Sequence, residues 1–184
     1  ARDWQSSLER YDEVYSYYDR SLGVDIRERY SPLNRPRLES LLREWAPLAK
    51  GRRLLDVGCG HGQMVHTALE MGWAAEGIDL AEGAVAACQA AGLPVQRLDF
   101  FSDDVPSNSY DVVVMSEFLE HVSQPGRFLA RAEEVLRPAG LVYLTTPNFA
   151  SLSRRILGDK WRAIHPEHIL YWEDATLRAL VSAR

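Results

Sequence analysis

Glycine and aspartate residues at two places along the chain form the pattern with the clearest chemical meaning. The segment LLDVGCGHGQ, residues 54–63, carries Asp56 ahead of glycines at 58, 60 and 62. Glycine lets the main chain turn sharply and approach a ligand closely. Asp79 follows roughly 20 residues later, where a carboxylate can accept hydrogen bonds from both hydroxyl groups of a ribose. The spacing therefore predicts a pocket for an adenosine-type ligand.

The glycine pattern also separates two kinds of nucleotide ligand. A nicotinamide dinucleotide fingerprint would place a glycine at position 63, where this chain has Gln63. Further along, Asp99 and Phe100 close a third apolar run. Taken alone, this pair is typical of an aspartate that caps a turn and a phenylalanine that fills the core. The ordered set of motifs around the glycine turn strengthens the prediction of an adenosine-type ligand.

A second group of reactive residues follows the fourth apolar run. Glu117, Glu120 and His121 have the i, i+3, i+4 spacing of one helical face, so we expect two carboxylates and an imidazole to converge. Such a set suits a divalent metal ion, with His165 or His168 as a fourth ligand. The structural alternative, in which the histidine packs and the glutamates bond to main chain, is favoured here, and no metal is predicted.

Short apolar runs and helical segments alternate from residue 51 onward, and together they must position these groups. Strands buried on both faces, with helices between them, describe an α/β fold with a doubly wound parallel sheet of five strands. The predicted strands cover 54–57, 74–78, 95–98, 110–115 and 141–145, and the predicted helices cover 64–71, 82–91 and 127–136.

Helical patterns also stand at both ends of the chain. Apolar and aromatic residues at 4, 8, 11, 15 and 18 share one helical face, and a second helix ends near Pro47. A further helix follows Pro147, and a last one begins near Glu173. We predict a helical lid or cap over residues 1–48 and a ligand-binding domain over residues 49–184.

Composition limits the function classes. The 184 residues include 21 Lys and Arg against 26 Asp and Glu, a net charge of −5, which argues against a general nucleic-acid binder. No apolar run approaches the roughly 20 residues of a membrane helix. Two cysteines are too few for a disulfide framework, so a cytoplasmic setting is expected.

Taken together, the motifs identify a family resemblance. The segments LLDVGCGHGQ (54–63), GIDL (77–80), LDFF (98–101), YDVVVMSEFLEHV (110–122) and LRPAGLVYLTTPN (136–148) resemble class I S-adenosylmethionine-dependent methyltransferases, from about residue 37 to 180. The fourth segment, with HPEHILYW (165–172), is most similar to the branch that contains the ubiquinone-biosynthesis O-methyltransferases.

The resemblance implies a role for each motif, with S-adenosyl-L-methionine as cofactor and S-adenosyl-L-homocysteine as product. Asp56, Gly58 and Gly60 would form the turn against the methionine part, Asp79 and Leu80 would border the ribose, and Asp99 and Phe100 would border the adenine. Met115 and Ser116 would lie beneath the ligand. Arg37 resembles an arginine that clamps the cofactor carboxylate, although a solvated arginine at a helix start is an equal alternative.

The resemblance also implies the reaction, which is methyl transfer to a small-molecule acceptor through a hydroxyl group. His168 and His121 are the candidate bases. Some relatives hold a metal at a similar ExxEH set, and others do not. The second hypothesis is a cofactor-binding scaffold without catalysis. RNA methylation, prompted by Arg154, Arg155, Lys160 and Arg162, is disfavoured by the acidic chain.

The family's sheet usually ends in a C-terminal β-hairpin, which this sequence does not encode. We therefore expect a partner chain or a further segment to cover the sheet edge.

Overall fold

A five-stranded parallel sheet organises the part of the chain that the structure describes. This computed structural model describes Arg27 and residues 30–183. The strands are β1 (Arg53–Val57), β2 (Ala74–Asp79), β3 (Val95–Arg97), β4 (Tyr110–Ser116) and β5 (Leu136–Thr145). Their order is β3-β2-β1-β4-β5, and every pair is parallel. The predicted α/β fold class and strand number are confirmed.

The central strands β1 and β4 are buried because their apolar side chains point to both faces of the sheet, and both faces are covered. Consecutive residues of β1, Leu54 and Leu55, enter different core clusters, as do Val112 and Val113 of β4. A parallel strand covered on both sides reads as a continuous apolar run, and this run is the signal that located the strands in the sequence.

Among the described residues, six α-helices flank or follow this sheet. They are α1 (Asn34–Trp45), α2 (Gln63–Glu70), α3 (Glu82–Ala90), α4 (Pro125–Val135), α5 (Leu152–Leu157) and α6 (Asp174–Ser182). Helices α1, α2 and α3 pack against one face of the sheet, and α4 packs against the other. Short 3₁₀ turns cover Leu119–His121 and Gly158–Lys160.

Helix α1 belongs to the same core as the sheet. Its Leu42 and Trp45 are buried together with Leu54 of β1. The predicted aromatic helix over residues 4–18 lies outside the described residues. The boundary at residue 48 stays a prediction, and the packing shows that the segment just before it contributes to the core of the domain.

Strand β5 begins five residues earlier than the sequence predicted. Helix α4 ends at Val135, since Pro138 disfavours further helix, and the chain enters the strand directly at Leu136. The pairing of β4 with β5 shifts register between Tyr110 and Val112, where Ala139 adopts a φ of 66°. This bulge was not visible in the sequence.

The sheet has one topological switch point, between β1 and β4. The chain proceeds from β1 outward to β3 on one side and then crosses to β4 and β5 on the other. The loops that follow β1 and β4 therefore diverge and leave a crevice at the carboxyl ends of the strands. Open parallel sheets bind their ligands in this crevice. No helix of the described residues is long and apolar enough to cross a membrane.

Candidate active site

The turn after β1 is shaped by glycines in the left-handed region. Gly58 has a φ of 69° and Gly60 a φ of 50°. The main-chain N–H groups of Gly58 and Cys59 donate to the carbonyl of Ile78, at 2.9 and 3.2 Å, so the turn is tied to the end of β2. A Cβ on Gly58 would lie 2.5 Å from the Phe118 ring. Glycine is therefore required at position 58 by conformation and by space.

Asp79 joins the glycine turn to β2. One carboxylate oxygen accepts from the Gly60 N–H at 2.8 Å, and the other accepts from the Ala81 N–H at 2.9 Å. Each oxygen retains a second lone pair, so the carboxylate can still accept from ribose hydroxyl groups. Burial raises the pKa of Asp79, and these N–H donors work against that rise. The neighbouring Leu80 is partly exposed beside it.

Asp56 lies beneath the same turn. Its side chain is 4% exposed. Burial, together with the neighbouring Asp79 carboxylate, raises the pKa of Asp56 to about 8. At neutral pH the Asp56 carboxyl is therefore mostly protonated, because the buried anion beside Asp79 is disfavoured.

The Asp99 and Phe100 pair lies at the carboxyl end of β3. One Asp99 oxygen accepts from the Phe101 N–H at 2.9 Å, as in the turn-capping alternative. The Phe100 ring is 3% exposed and stacks at 6.3 Å on Phe128 of α4. The structure therefore gives both residues a structural role as well, and their contacts with adenine stay a prediction.

The end of β4 provides the floor of the crevice. Met115 is fully buried in the core cluster on one side of the sheet, and its place beneath a ligand stays a prediction. The hydroxyl groups of Ser116 and Thr145 lie 2.9 Å apart, and Thr145 also accepts from the Glu117 N–H at 3.2 Å. Sequence analysis missed Thr145, although its place at the end of the strand beside β4 was a usable signal.

Arg37 projects from the first turns of α1 and is exposed. Its guanidinium donates to the hydroxyl group of Tyr143 on β5, at 3.0 Å. Within the described part of the chain, Arg37 forms no ion pair with a carboxylate. The Arg37 guanidinium is therefore available to bind an external anion. The predicted clamp on the cofactor carboxylate requires this.

The prediction that Glu117, Glu120 and His121 share one helical face is wrong. Glu117 adopts a φ of 52° and stands outside the turn, and the 3₁₀ turn covers only Leu119–His121. The Glu117 N–H is held by the main-chain carbonyl of Thr145 at 2.9 Å. Because β4 stays paired with β5 to this point, the chain must reverse sharply, and a continuous helix cannot form.

A different trio converges instead, made of Glu120, His121 and His168. Each of these residues offers a ligand atom, and these atoms lie within 4.8 Å of one another. The loop that carries His168 reaches the cluster because the Ile169 and Leu170 N–H groups donate to the carbonyl of Glu120, at 2.9 and 3.1 Å. His165 stands further out, with its ring centroid 6.0 Å from that of His168.

The two imidazoles of this trio are oriented by main-chain carbonyls. The Nδ1–H of His168 donates to Ala163 at 2.8 Å, and that of His121 donates to Glu167 at 3.2 Å, in the tautomers that these carbonyls select. Each ring then presents Nε2 as an acceptor. Burial, followed by the neighbouring His168, lowers the pKa of His121 and keeps that ring neutral.

Glu120 is the buried member of the cluster. Its side chain is 1% exposed, and neither carboxylate oxygen has a hydrogen-bond partner among the described residues. Burial raises the pKa of Glu120 to about 7, and the Glu117 carboxylate adds to the rise. An orphaned carboxylate beside two oriented imidazoles fits a divalent ion as well as it fits a shared proton.

The fold and the crevice together are those of an α/β domain of the kind that binds nucleotide-type ligands at the carboxyl ends of its strands. Residues 26–184 match the family described as "Methyltransferase domain", Methyltransf_23. The match covers most of the chain, so the protein belongs to this methyltransferase domain family.

Individual relatives agree with this assignment. The chain is 33% identical over 138 residues to the ubiquinone biosynthesis O-methyltransferase of Bordetella avium, which covers 67% of this chain and 55% of that protein. A SAM-dependent methyltransferase of known structure from Archaeoglobus fulgidus is 25% identical, with a TM-score of 0.67 over 81% of this chain and 67% of that one. The cyclase SpnF is 28% identical, with a TM-score of 0.60 over 80% of this chain and 55% of that one.

The chain spans about half the length of the curated relatives it matches.

Proposed function

We propose that this chain transfers the methyl group of S-adenosyl-L-methionine to a hydroxyl group of a small-molecule acceptor. The observation that carries the proposal is the preformed turn at the switch point, in which Asp79 holds Gly60 and keeps lone pairs for a ribose. Membership of the methyltransferase domain family and relatives named as O-methyltransferases support it.

The cofactor pocket follows from the residues around that turn. Asp79 and Leu80 border the ribose, and Asp99 and Phe100 border the adenine. Gly58 and Gly60 admit the methionine part, whose carboxylate lies toward Arg37. Asp56 lies below the turn, where a nearby sulfonium cation would favour its ionised form over the protonated form that burial favours without ligand. Met115 and Ser116 form the floor.

The chemical step is an in-line displacement. The acceptor oxygen forms a bond to the methyl carbon as the carbon–sulfur bond breaks, and its proton passes to a base. The products are the methyl ether and S-adenosyl-L-homocysteine. The protein's main contribution is to align the two reactants and to exclude water. The cluster beyond β4 supplies the base, with Nε2 of His168 or His121 accepting the proton directly or through water.

The activity is tested by turnover. The purified chain is incubated with S-adenosyl-L-methionine and a panel of catechols, phenols, aliphatic alcohols, amines and thiols, and S-adenosyl-L-homocysteine is quantified. We expect S-adenosyl-L-homocysteine to form with at least one hydroxyl acceptor, and we expect Asp79→Ala to lose this activity. Preference for an amine or thiol would contradict the hydroxyl assignment. Cofactor binding without turnover on any acceptor would favour the scaffold hypothesis.

The base is tested by a pair of histidine substitutions. His168→Ala should lower kcat at least tenfold and leave the dissociation constant for S-adenosyl-L-homocysteine unchanged, because the cluster lies on the acceptor side. His66→Ala is the control, since His66 lies on α2 and pairs with Glu70 at 3.6 Å. Wild-type turnover in His168→Ala would remove the role proposed for it.

A divalent ion is the second candidate for the same cluster. Glu120, His121 and His168 would hold it, and the ion would lower the pKa of the acceptor hydroxyl group. The test is metal content and turnover before and after treatment with a chelator. Bound metal at one equivalent per chain, lost in His121→Ala, would replace the base hypothesis. Full turnover without metal would end the metal hypothesis.

A further inference from the structure

One arginine on α4, outside the pocket, ties down the loop that carries the predicted adenine contacts. The β3–β4 loop, residues 98–109, begins with Leu98, Asp99 and Phe100 at the carboxyl end of β3. Arg131 donates from Nε to the carbonyl of Phe100 at 3.2 Å. From Nη2 it donates to the carbonyls of Ser102 at 3.2 Å and Val105 at 2.7 Å. Three carbonyls of one loop therefore accept from a single guanidinium, and the Ser102 carbonyl also accepts from the Val105 N–H at 3.1 Å.

The Arg131 side chain is itself held in place. It is 13% exposed, and Nη1 forms an ion pair with Glu134 at 3.0 Å. All three guanidinium nitrogens of Arg131 thus have partners. A lysine ammonium cannot form this set of bonds, because it lacks the planar arrangement of donors. Buried carbonyls without a donor are costly, so the loop conformation and Arg131 stabilise each other.

The same face of α4 supports the loop through its side chains. Phe101 packs edge-on against Phe128 at 4.8 Å, and the Arg127 guanidinium lies over the Phe101 ring at 4.9 Å. Asp99 is connected to this support through Phe101, two residues further along the loop. Asp99 also accepts from the Phe101 N–H, and this bond requires the turn that Arg131 fixes.

We propose that Arg131 is a positioning residue for recognition of the adenine base, which holds the β3–β4 loop in its binding conformation before the cofactor arrives. This inference rests on the proposed function, in which Asp99 meets the adenine amino group. Arg131 does not contact the cofactor and acts through the loop.

The test compares two ligands that differ only in the base. S-adenosyl-L-homocysteine carries the 6-amino group, and S-inosyl-L-homocysteine carries an oxygen there. Wild type should prefer the adenosyl compound. Arg131→Lys should weaken binding of the adenosyl compound at least tenfold and of the inosyl compound much less, so that the preference shrinks. Arg43→Lys, an exposed arginine paired with Glu39 on α1, is the control and should leave both affinities unchanged.

The outcomes separate the two proposals. If wild type binds neither compound, the proposed function fails. If wild type prefers the adenosyl compound and Arg131→Lys keeps that preference, the inference about Arg131 is overturned. If Arg131 had only a structural role, Arg131→Lys would weaken binding of both compounds equally. This result would also overturn the inference about Arg131.

A second measurement uses wild type alone and does not depend on the variant's folding. Hydrogen exchange should find the amides of Phe101, Ser102 and Val105 already protected without ligand, with less than a threefold further slowing when S-adenosyl-L-homocysteine binds. A loop that exchanges freely and becomes protected only with ligand would show that the ligand orders it, and this result would overturn the proposal.

Discussion

Gly58 shows how a single residue joins backbone conformation to ligand access. Its φ of 69° is costly for any residue with a side chain, and Phe118 occupies the space that a Cβ would enter. Gly92, after α3, has a similar φ of 75° but open space around it. Both glycines therefore adopt a positive φ, and only at Gly58 would a Cβ also clash with a neighbouring side chain.

This pair gives the first prediction. Gly92→Ala should lower the free energy of unfolding by about 1 kcal/mol, because only the conformation is strained. Gly58→Ala should lower it by about 2 to 4 kcal/mol, because overpacking against Phe118 adds to the strain. Urea unfolding measures both. Equal losses in the two variants would show that the Phe118 contact does not constrain the turn.

Tyr143 and Arg37 provide a second prediction at this scale. Tyr143→Phe keeps the ring against Trp45 and removes the hydroxyl that orients Arg37. Affinity for S-adenosyl-L-homocysteine should fall by about fivefold, the worth of roughly 1 kcal/mol. Affinity for 5′-methylthioadenosine, which lacks the amino-acid part, should stay the same.

A neighbouring arginine serves as the control for this prediction. Arg35→Gln removes a cation from the same helix that is already paired with Glu39 and Glu70. It should leave both affinities unchanged. A loss of affinity for both ligands in Tyr143→Phe would argue against the carboxylate clamp.

At the scale of elements, the sequence predicted those parts of the fold whose signal is local. The central strands β1 and β4 were found because burial on both faces gives a continuous apolar run, and Asp79 was placed correctly at the end of β2. The edge strands β3 and β5 are more exposed, and the start of β5 was missed. The turn at Glu117 was missed because a left-handed conformation at a glutamate has no composition signal. His168 joins His121 through contacts between residues 46 or more positions apart, and spacing could not select it over His165.

The start of β4 illustrates how strands are tied together away from the site. Asp111 is buried and accepts from the Arg53 N–H at 2.9 Å and from Arg137 at 3.0 Å, so it links β1, β4 and the bulged start of β5. These contacts lie at the amino ends of the strands, opposite the crevice.

Asp111→Ala should therefore lower the free energy of unfolding by about 3 kcal/mol, because a buried link is broken. The control Asp174→Ala removes an exposed pair with Arg178 and should cost less than about 0.5 kcal/mol. Below the unfolding transition, the Asp111 variant should bind S-adenosyl-L-homocysteine like wild type. A weakened affinity per folded molecule would contradict the separation between the two ends of the sheet.

For the whole molecule, the buried acid beneath the glycine turn makes stability depend on pH. The pKa of Asp56 is about 8 in the folded chain and near 3.8 in the unfolded chain. Between these values the folded state binds the extra proton, so stability falls as pH rises. From pH 6 to pH 8 this group alone should lower the free energy of unfolding by up to about 2 kcal/mol.

Asp56→Asn should reduce the pH dependence of stability between pH 6 and pH 8, as measured by urea unfolding at several pH values, and the raised pKa of Glu120 should account for a part that remains. Asp103→Asn, which changes an exposed acid, should retain the wild-type slope. A slope unchanged by Asp56→Asn would show that Asp56 is ionised in the folded chain at neutral pH.

The central claim is that the crevice at the switch point binds an adenosyl ligand through Asp79. Calorimetric titration of S-adenosyl-L-homocysteine into wild type and Asp79→Asn tests it most directly. We predict one site per wild-type chain, with affinity at least tenfold weaker in the variant, a loss of about 1.4 kcal/mol. No binding to folded wild type, or equal affinities for the two proteins, would contradict the account.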